Sequence, residues 1–135
     1  MQLSELLTSL CKPYDRGERG RQTIVLAGDA QALPAQMVSP FALVIHELAT
    51  NAGKYGALSV PGGQVTITWN AAVGDAPLVV EWRESGGPPP AEASKDQLSG
   101  GFGQRMTQAA IRQMGGTLDA SFPPAGAVIT LTIKR

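Results

Sequence analysis

The sequence predicts an α/β fold of the two-layer sandwich kind, with a mixed, mostly antiparallel sheet and its helices on one face. Three observations predict it. Residues 39–57 carry apolar side chains at helical spacing, with Phe41, Ile45, Leu48 and Ala52 on one side, the mark of a long amphipathic helix. Val65, Ile67 and Trp69 alternate with Thr66 and Thr68, and Leu78, Val80, Trp82 and Glu84 share a face in the same way. Such alternation describes strands with one buried and one wet face, which antiparallel and mixed sheets tolerate. Gly and Pro clusters, such as Pro61-Gly62-Gly63 and Pro123-Pro124, punctuate these runs as turns.

Taken in order, the chain opens with Leu3, Leu6, Leu7 and Leu10 at helical spacing before Pro13, which predicts a short amphipathic helix ending near Lys12 that reads as a connector. A β-rich run covers residues 22–27. Ser39 followed by Pro40 suits an N-cap and first residue for the long helix. Strands follow at residues 65–69 and 78–84. Between Gly86 and Gly101 the composition shifts to Gly, Pro, Ser and charged residues, including Pro88, Pro89 and Pro90; a loop of that length in a compact domain points to a lid over a site. Phe102, Met106, Ala110 and Met114 then mark the buried stripe of a helix ending at Gly115 and Gly116, and strands near residues 117–122 and 128–133 close the fold.

With 135 residues, 43% hydrophobic, the chain can bury one core and reads as a single domain. Eleven basic and eleven acidic residues cancel, so no net field draws it to nucleic acid or an anionic membrane. The charges of residues 12–21 are interleaved in sign and read as a solvated loop. Cys11 is the only cysteine, which excludes a disulfide framework and fits a reducing cytoplasm. No apolar run approaches the roughly 18 residues of a membrane span, and no signal-peptide pattern opens the chain.

On the long helix, Glu47, Asn51 and Lys54 fall on one face. A carboxylate, an amide and an ammonium in one stripe suit a metal-bound polyphosphate: the Asn oxygen for a hard cation, Lys for phosphate charge, and Glu to orient or deprotonate an attacking group. The same spacing also describes three solvated residues on an outer face, and spacing alone leaves both open. Glu84 closes an apolar row on its strand, where an unpaired charge is costly, so it either finds a donor or reaches water.

His46 to Ser59, reading HELATNAGKYGALS, resembles the N-box of histidine kinase catalytic domains, and with Trp82-Arg83-Glu84 it resembles the HWE subfamily, named for an N-box histidine and a Trp-x-Glu sequence. The resemblance covers nearly the whole chain. It implies a Bergerat-type ATP-binding fold over residues 14–135, with residues 1–13 leading from a separate dimerisation and phosphoacceptor domain. It implies ATP and magnesium as cofactors, Asn51 on the metal, Lys54 and Tyr55 at the nucleotide, and Glu47 near the γ-phosphate. His46 is then a residue oriented beside the site, or one with a part in the chemistry, and not the phosphoacceptor. Glu84 becomes the acceptor for the adenine amine. Glu84-Ser85-Gly86-Gly87-Pro88 departs from the usual Asp-x-Gly-x-Gly box, since Glu reaches one methylene further and Pro88 donates no backbone hydrogen bond. Gly100-Gly101-Phe102-Gly103 resembles the second glycine box, with Arg105 one turn further on and able to reach phosphate. A response regulator is the implied downstream partner. The alternatives are a serine kinase of the same fold, of the anti-sigma type, and an interaction module that has lost its chemistry.

Overall fold

The computed structural model describes residues 1–15, 17, 23–70, 73–89 and 102–134, with side chains in the last stretch from residue 105 onward. Three helices, α1 (Leu3–Cys11), α2 (Ala35–Tyr55) and α3 (Phe102–Gln113), accompany five strands: β1 (Ile24–Gly28), β2 (Gln64–Trp69), β3 (Leu78–Ser85), β4 (Gly116–Ser121) and β5 (Val128–Ile133). The sheet order is β1-β2-β3-β5-β4, with β1 and β2 parallel and every other pair antiparallel. The expected mixed sheet is therefore present.

Alternation fixes which face is covered. Val65, Ile67 and Trp69 on β2, Leu78, Val80, Trp82 and Glu84 on β3, and Ile129, Leu131 and Ile133 on β5 all point inward. Register stacks them into rows, Ile67 beside Trp82 beside Ile129 at the centre. Thr66, Thr68, Glu81, Arg83, Thr130 and Thr132 lie half-buried or exposed on the other face. The inward rows share one core with the helices, through Leu3, Leu6 and Leu7 of α1, Phe41, Val44, Ile45 and Leu48 of α2, and Ala110 and Ile111 of α3. Each large side chain so buried stabilises the fold by about 1.5–3 kcal/mol.

Two expectations need correction. The long helix begins at Ala35, not Ser39, so Pro40 sits inside it. Pro34 ends the extended approach, the Met37 amide bonds back to the Pro34 carbonyl at 2.9 Å, and Ala35 to Val38 are free to wind. Pro40 has no N–H for the Gln36 carbonyl, a loss offset by burial of Pro40 and Phe41 in the core. On α3 the buried stripe is Thr107, Ala110, Ile111 and Met114, whereas Met106 is 43% exposed. Spacing by four drifts about 40° per step around a helix, so alternating steps of three and four hold a face. The α1 helix is tied to the rest of the domain: the Leu3 amide bonds to the Gln31 carbonyl and the Leu33 amide to the Met1 carbonyl, knitting it to the approach of α2. A 3₁₀ turn, Lys12–Tyr14, follows it around Pro13. Among the described residues no helix is long and apolar enough to cross a membrane.

Candidate functional site

A cleft of about 510 Å³, counting its open mouth, lies where the end of α2, the end of β3 and the β4–β5 hairpin meet. Leu48, Asn51 and Tyr55 come from one face of α2; Gly56 and Ala57 from the turn after it; Glu84, Ser85, Gly87 and Pro88 from β3 and its exit; Phe122, Ala127 and Ile129 from the hairpin. The walls are mostly apolar with a few fixed polar groups, the composition of a small-molecule site.

Two of those polar groups are placed unusually. Glu84 is 8% exposed, and each of its oxygens has a donor: Ala57 N–H donates to Oε1 at 2.9 Å, and the Trp82 indole N–H donates to Oε2 at 3.1 Å. Strand pleating makes the second bond possible, because residues 82 and 84 share a face. The backbone closes tightly around this carboxylate. A Cβ at Gly56 would collide with Glu84 Oε1, so any larger residue there would force the carboxylate to shift. Asn51, by contrast, buries its Nδ2 without a hydrogen-bond partner among the described residues. An orphaned buried amide is costly, by about 1–3 kcal/mol, and native proteins retain such groups where something else satisfies them.

The expected site residues are thus partly brought together. Asn51, Tyr55 and Glu84 line the cleft, and Gly86, with φ of 72°, turns the chain away beside it. Glu47, half-buried, and Lys54, exposed, continue the Asn51 stripe along α2. His46 faces elsewhere: its Nδ1 shares a 2.8 Å hydrogen bond with the Tyr14 hydroxyl, the two rings meeting edge-on at 61°. Arg105 is exposed on α3. Phe102 and Gly103 open that helix, and Gly101, with residues 90–101 of the expected lid, lies outside the described residues. Sequence reasoning missed Ala57 and Ala127, which enter through backbone groups that no side-chain pattern announces. The Trp82 indole, on the buried face of its strand, is a donor as well.

Among the described residues, two groups with clearly shifted titration lie away from the cleft, in a groove lined by Thr8, Cys11, Lys12, Asp15, Gly17, Ile24 and Leu26. Burial first, then the negative charge of Asp15, push the Cys11 thiol up to about 11. For Asp15, burial pushes upward but is outweighed by hydrogen bonds from Thr23 N–H, Gly17 N–H, the Thr23 hydroxyl and Ile24 N–H, leaving the carboxyl below the ordinary 3.8. This carboxylate holds the chain between α1 and β1.

No protein-family model matches the chain. It is 36% identical over 135 residues to blue-light-activated histidine kinase 1 of Erythrobacter litoralis, a match covering 98% of this chain and 36% of that kinase. The chain thus spans about a third of that relative's length. Among solved structures, the histidine kinase domain of an Erythrobacter litoralis blue-light-activated histidine kinase superposes with a TM-score of 0.72 at 18% identity, covering 97% of this chain and 58% of that one. The catalytic domain of histidine kinase ThkA, in a nucleotide-free form, does so at 0.69 and 19% identity, covering 99% and 92%; ThkA is also solved in complex with the response regulator protein TrrA. The chain is a homologue of the blue-light-activated histidine kinases and has the fold of the histidine kinase catalytic domain.

Proposed function

We propose that this domain, of the HWE type, binds ATP with magnesium in the cleft and presents the γ-phosphate to a histidine on a separate dimerisation domain. The observation that carries the reading is the buried, unpartnered amide of Asn51 at the wall of an apolar cleft. Rotated by half a turn, that amide offers an oxygen, a suitable ligand for magnesium, which prefers oxygen donors and is held in such sites together with substrate phosphates. Lys54, one turn further along the stripe, is assigned to phosphate charge, and Glu47, one turn before, to orienting the incoming imidazole. Leu48, Ala127 and Ile129 offer the flat apolar contact a purine needs, with Glu84 as its polar limit. Tyr55 borders the nucleotide, and Gly86, Gly103 and Arg105, with Gly101 outside the described residues, are assigned to its phosphates on the resemblance of the glycine boxes. Bound magnesium would supply neutralisation of phosphate charge; what the protein adds is positioning.

His46 is tied to Tyr14 rather than to the cleft, which favours a supporting role over direct chemistry. Residues 1–13 lead from the phosphoacceptor domain, the product phosphate passes to a response regulator aspartate, and the domain works in the cytoplasm where ATP is available. Calorimetric titration tests this. Magnesium and ATP together bind the wild-type domain saturably, and Asn51→Ala weakens binding about tenfold or more, as expected for losing one contact to a charged group. A folded wild-type domain that takes up no ATP would refute the reading.

A further inference from the structure

Trp82 is 1% exposed, between Ile67 and Ile129 in the central row of the sheet. Packing explains the ring but not the direction of its N–H. That N–H donates to Glu84 Oε2 at 3.1 Å, while Ala57 N–H holds Oε1 at 2.9 Å. A carboxylate has about four acceptor positions, so half remain. With one donor, its terminal torsion would swing in a broad well; donors on both oxygens, from different elements, fix its plane. Leu48, Ala127 and Ile129 line the cleft beside it, with Asn51, Tyr55 and Ser85 among its polar side chains.

We propose that Trp82 is a positioning residue that aims the Glu84 carboxylate at the exocyclic amine of a purine in the cleft, so that Trp82 and Glu84 act as one specificity device. This rests on the reading of the cleft as an ATP site. An amine meets the carboxylate as a donor; a purine with an oxo group or only hydrogen at that position leaves the buried carboxylate unsatisfied or repelled. Aim therefore matters to ligands with the amine and not to those without it, which separates positioning from general support of the fold.

Trp82→Phe keeps an aromatic ring and removes the N–H. It is titrated, beside wild type, with magnesium and either ATP or purine riboside triphosphate, which lacks the amine. Wild type is expected to favour ATP by about tenfold or more; in Trp82→Phe the preference falls to within about threefold of parity, while affinity for purine riboside triphosphate stays within about twofold of wild type. Equal weakening of both ligands would show Trp82 to be scaffold only and overturn the proposal. Because an altered core can fail to fold, the indole N–H signals of unlabelled-ligand-free protein are also followed by NMR in wild type and Glu84→Gln. The Trp82 proton is expected to move upfield on losing its charged acceptor, while that of Trp69, bonded to the Asp29 carbonyl at 2.7 Å, stays in place. A Trp82 proton indifferent to Glu84→Gln overturns the proposal through the bond itself. Wild type that binds both nucleotides equally overturns it differently, by removing the amine contact from the cleft.

Discussion

Gly56→Ala tests whether the Glu84 carboxylate is held as firmly as its two donors imply. The φ of Gly56 is −117°, ordinary for any residue, so its backbone alone does not demand glycine and the effect of a methyl group is steric. That methyl would sit against Glu84 Oε1, 3.1 Å from its Cδ and 3.2 Å from the Ala52 Cα. The carboxylate must leave, which strands the buried Ala57 N–H at a cost of about 1–3 kcal/mol, and residual overpacking adds about 1–3 kcal/mol. Lower entropy in the unfolded chain returns about 0.4–1 kcal/mol. The net expectation is destabilisation by about 3 kcal/mol, read from urea unfolding, with a melting temperature lowered by roughly 10 °C for a domain of this size. Gly53→Ala is the control: it lies on the same helix with nothing within 4 Å of its would-be Cβ, and is expected to stabilise by about 0.5–1 kcal/mol. A Gly56→Ala protein within about 0.5 kcal/mol of wild type would refute the reasoning, since the carboxylate would then be free to move at no cost.

The groove beside α1 supplies two further tests. With its thiol raised from 9.0 to about 11, Cys11 holds about a hundredfold less thiolate at neutral pH than an ordinary cysteine and is buried besides; its reaction with a disulfide reagent is expected to slow by at least that factor and to recover in denaturant. Asp15 titrates lower in the folded chain than in the unfolded one, so its stabilising contribution is full above the unfolded value and is lost as pH falls through the folded one. The stability gap between wild type and Asp15→Ala, followed by urea unfolding against pH, should accordingly be constant near neutrality and close below about pH 4.

The strands were the most legible part of the sequence because a buried face imposes a two-residue period that little else produces. Val65, Ile67 and Trp69 bury as that period requires. Helix positions were less secure. Pro40 looked like a beginning because proline is tolerated best in the first turn, yet core contact at Pro40 and Phe41 outweighs one missing hydrogen bond. Met106 belongs to a stripe of apolar residues spaced by four, but that spacing drifts around α3 and leaves it facing out. In the cleft, Asn51 and Glu84 were legible as polar residues in ordered positions. Their partners were not: the donor from Ala57 is backbone, and the bond from Trp82 depends on side-chain direction within the pleat.

The sheet order also has a kinetic consequence. Only β2–β3 and β4–β5 can close as local hairpins; β1 must find β2 across the whole of α2, pairing Ile24 with Val65, and β3 must find β5, pairing Leu78 with Ile133. Contacts so distant in sequence require loop closure before they return any stabilisation, which slows folding. The half-built chain therefore exposes the inner edges of two hairpins, and the β3–β5 seam that joins them, ending beside Glu84, is formed after them. The cleft, bounded by that seam, is thus expected to be assembled late.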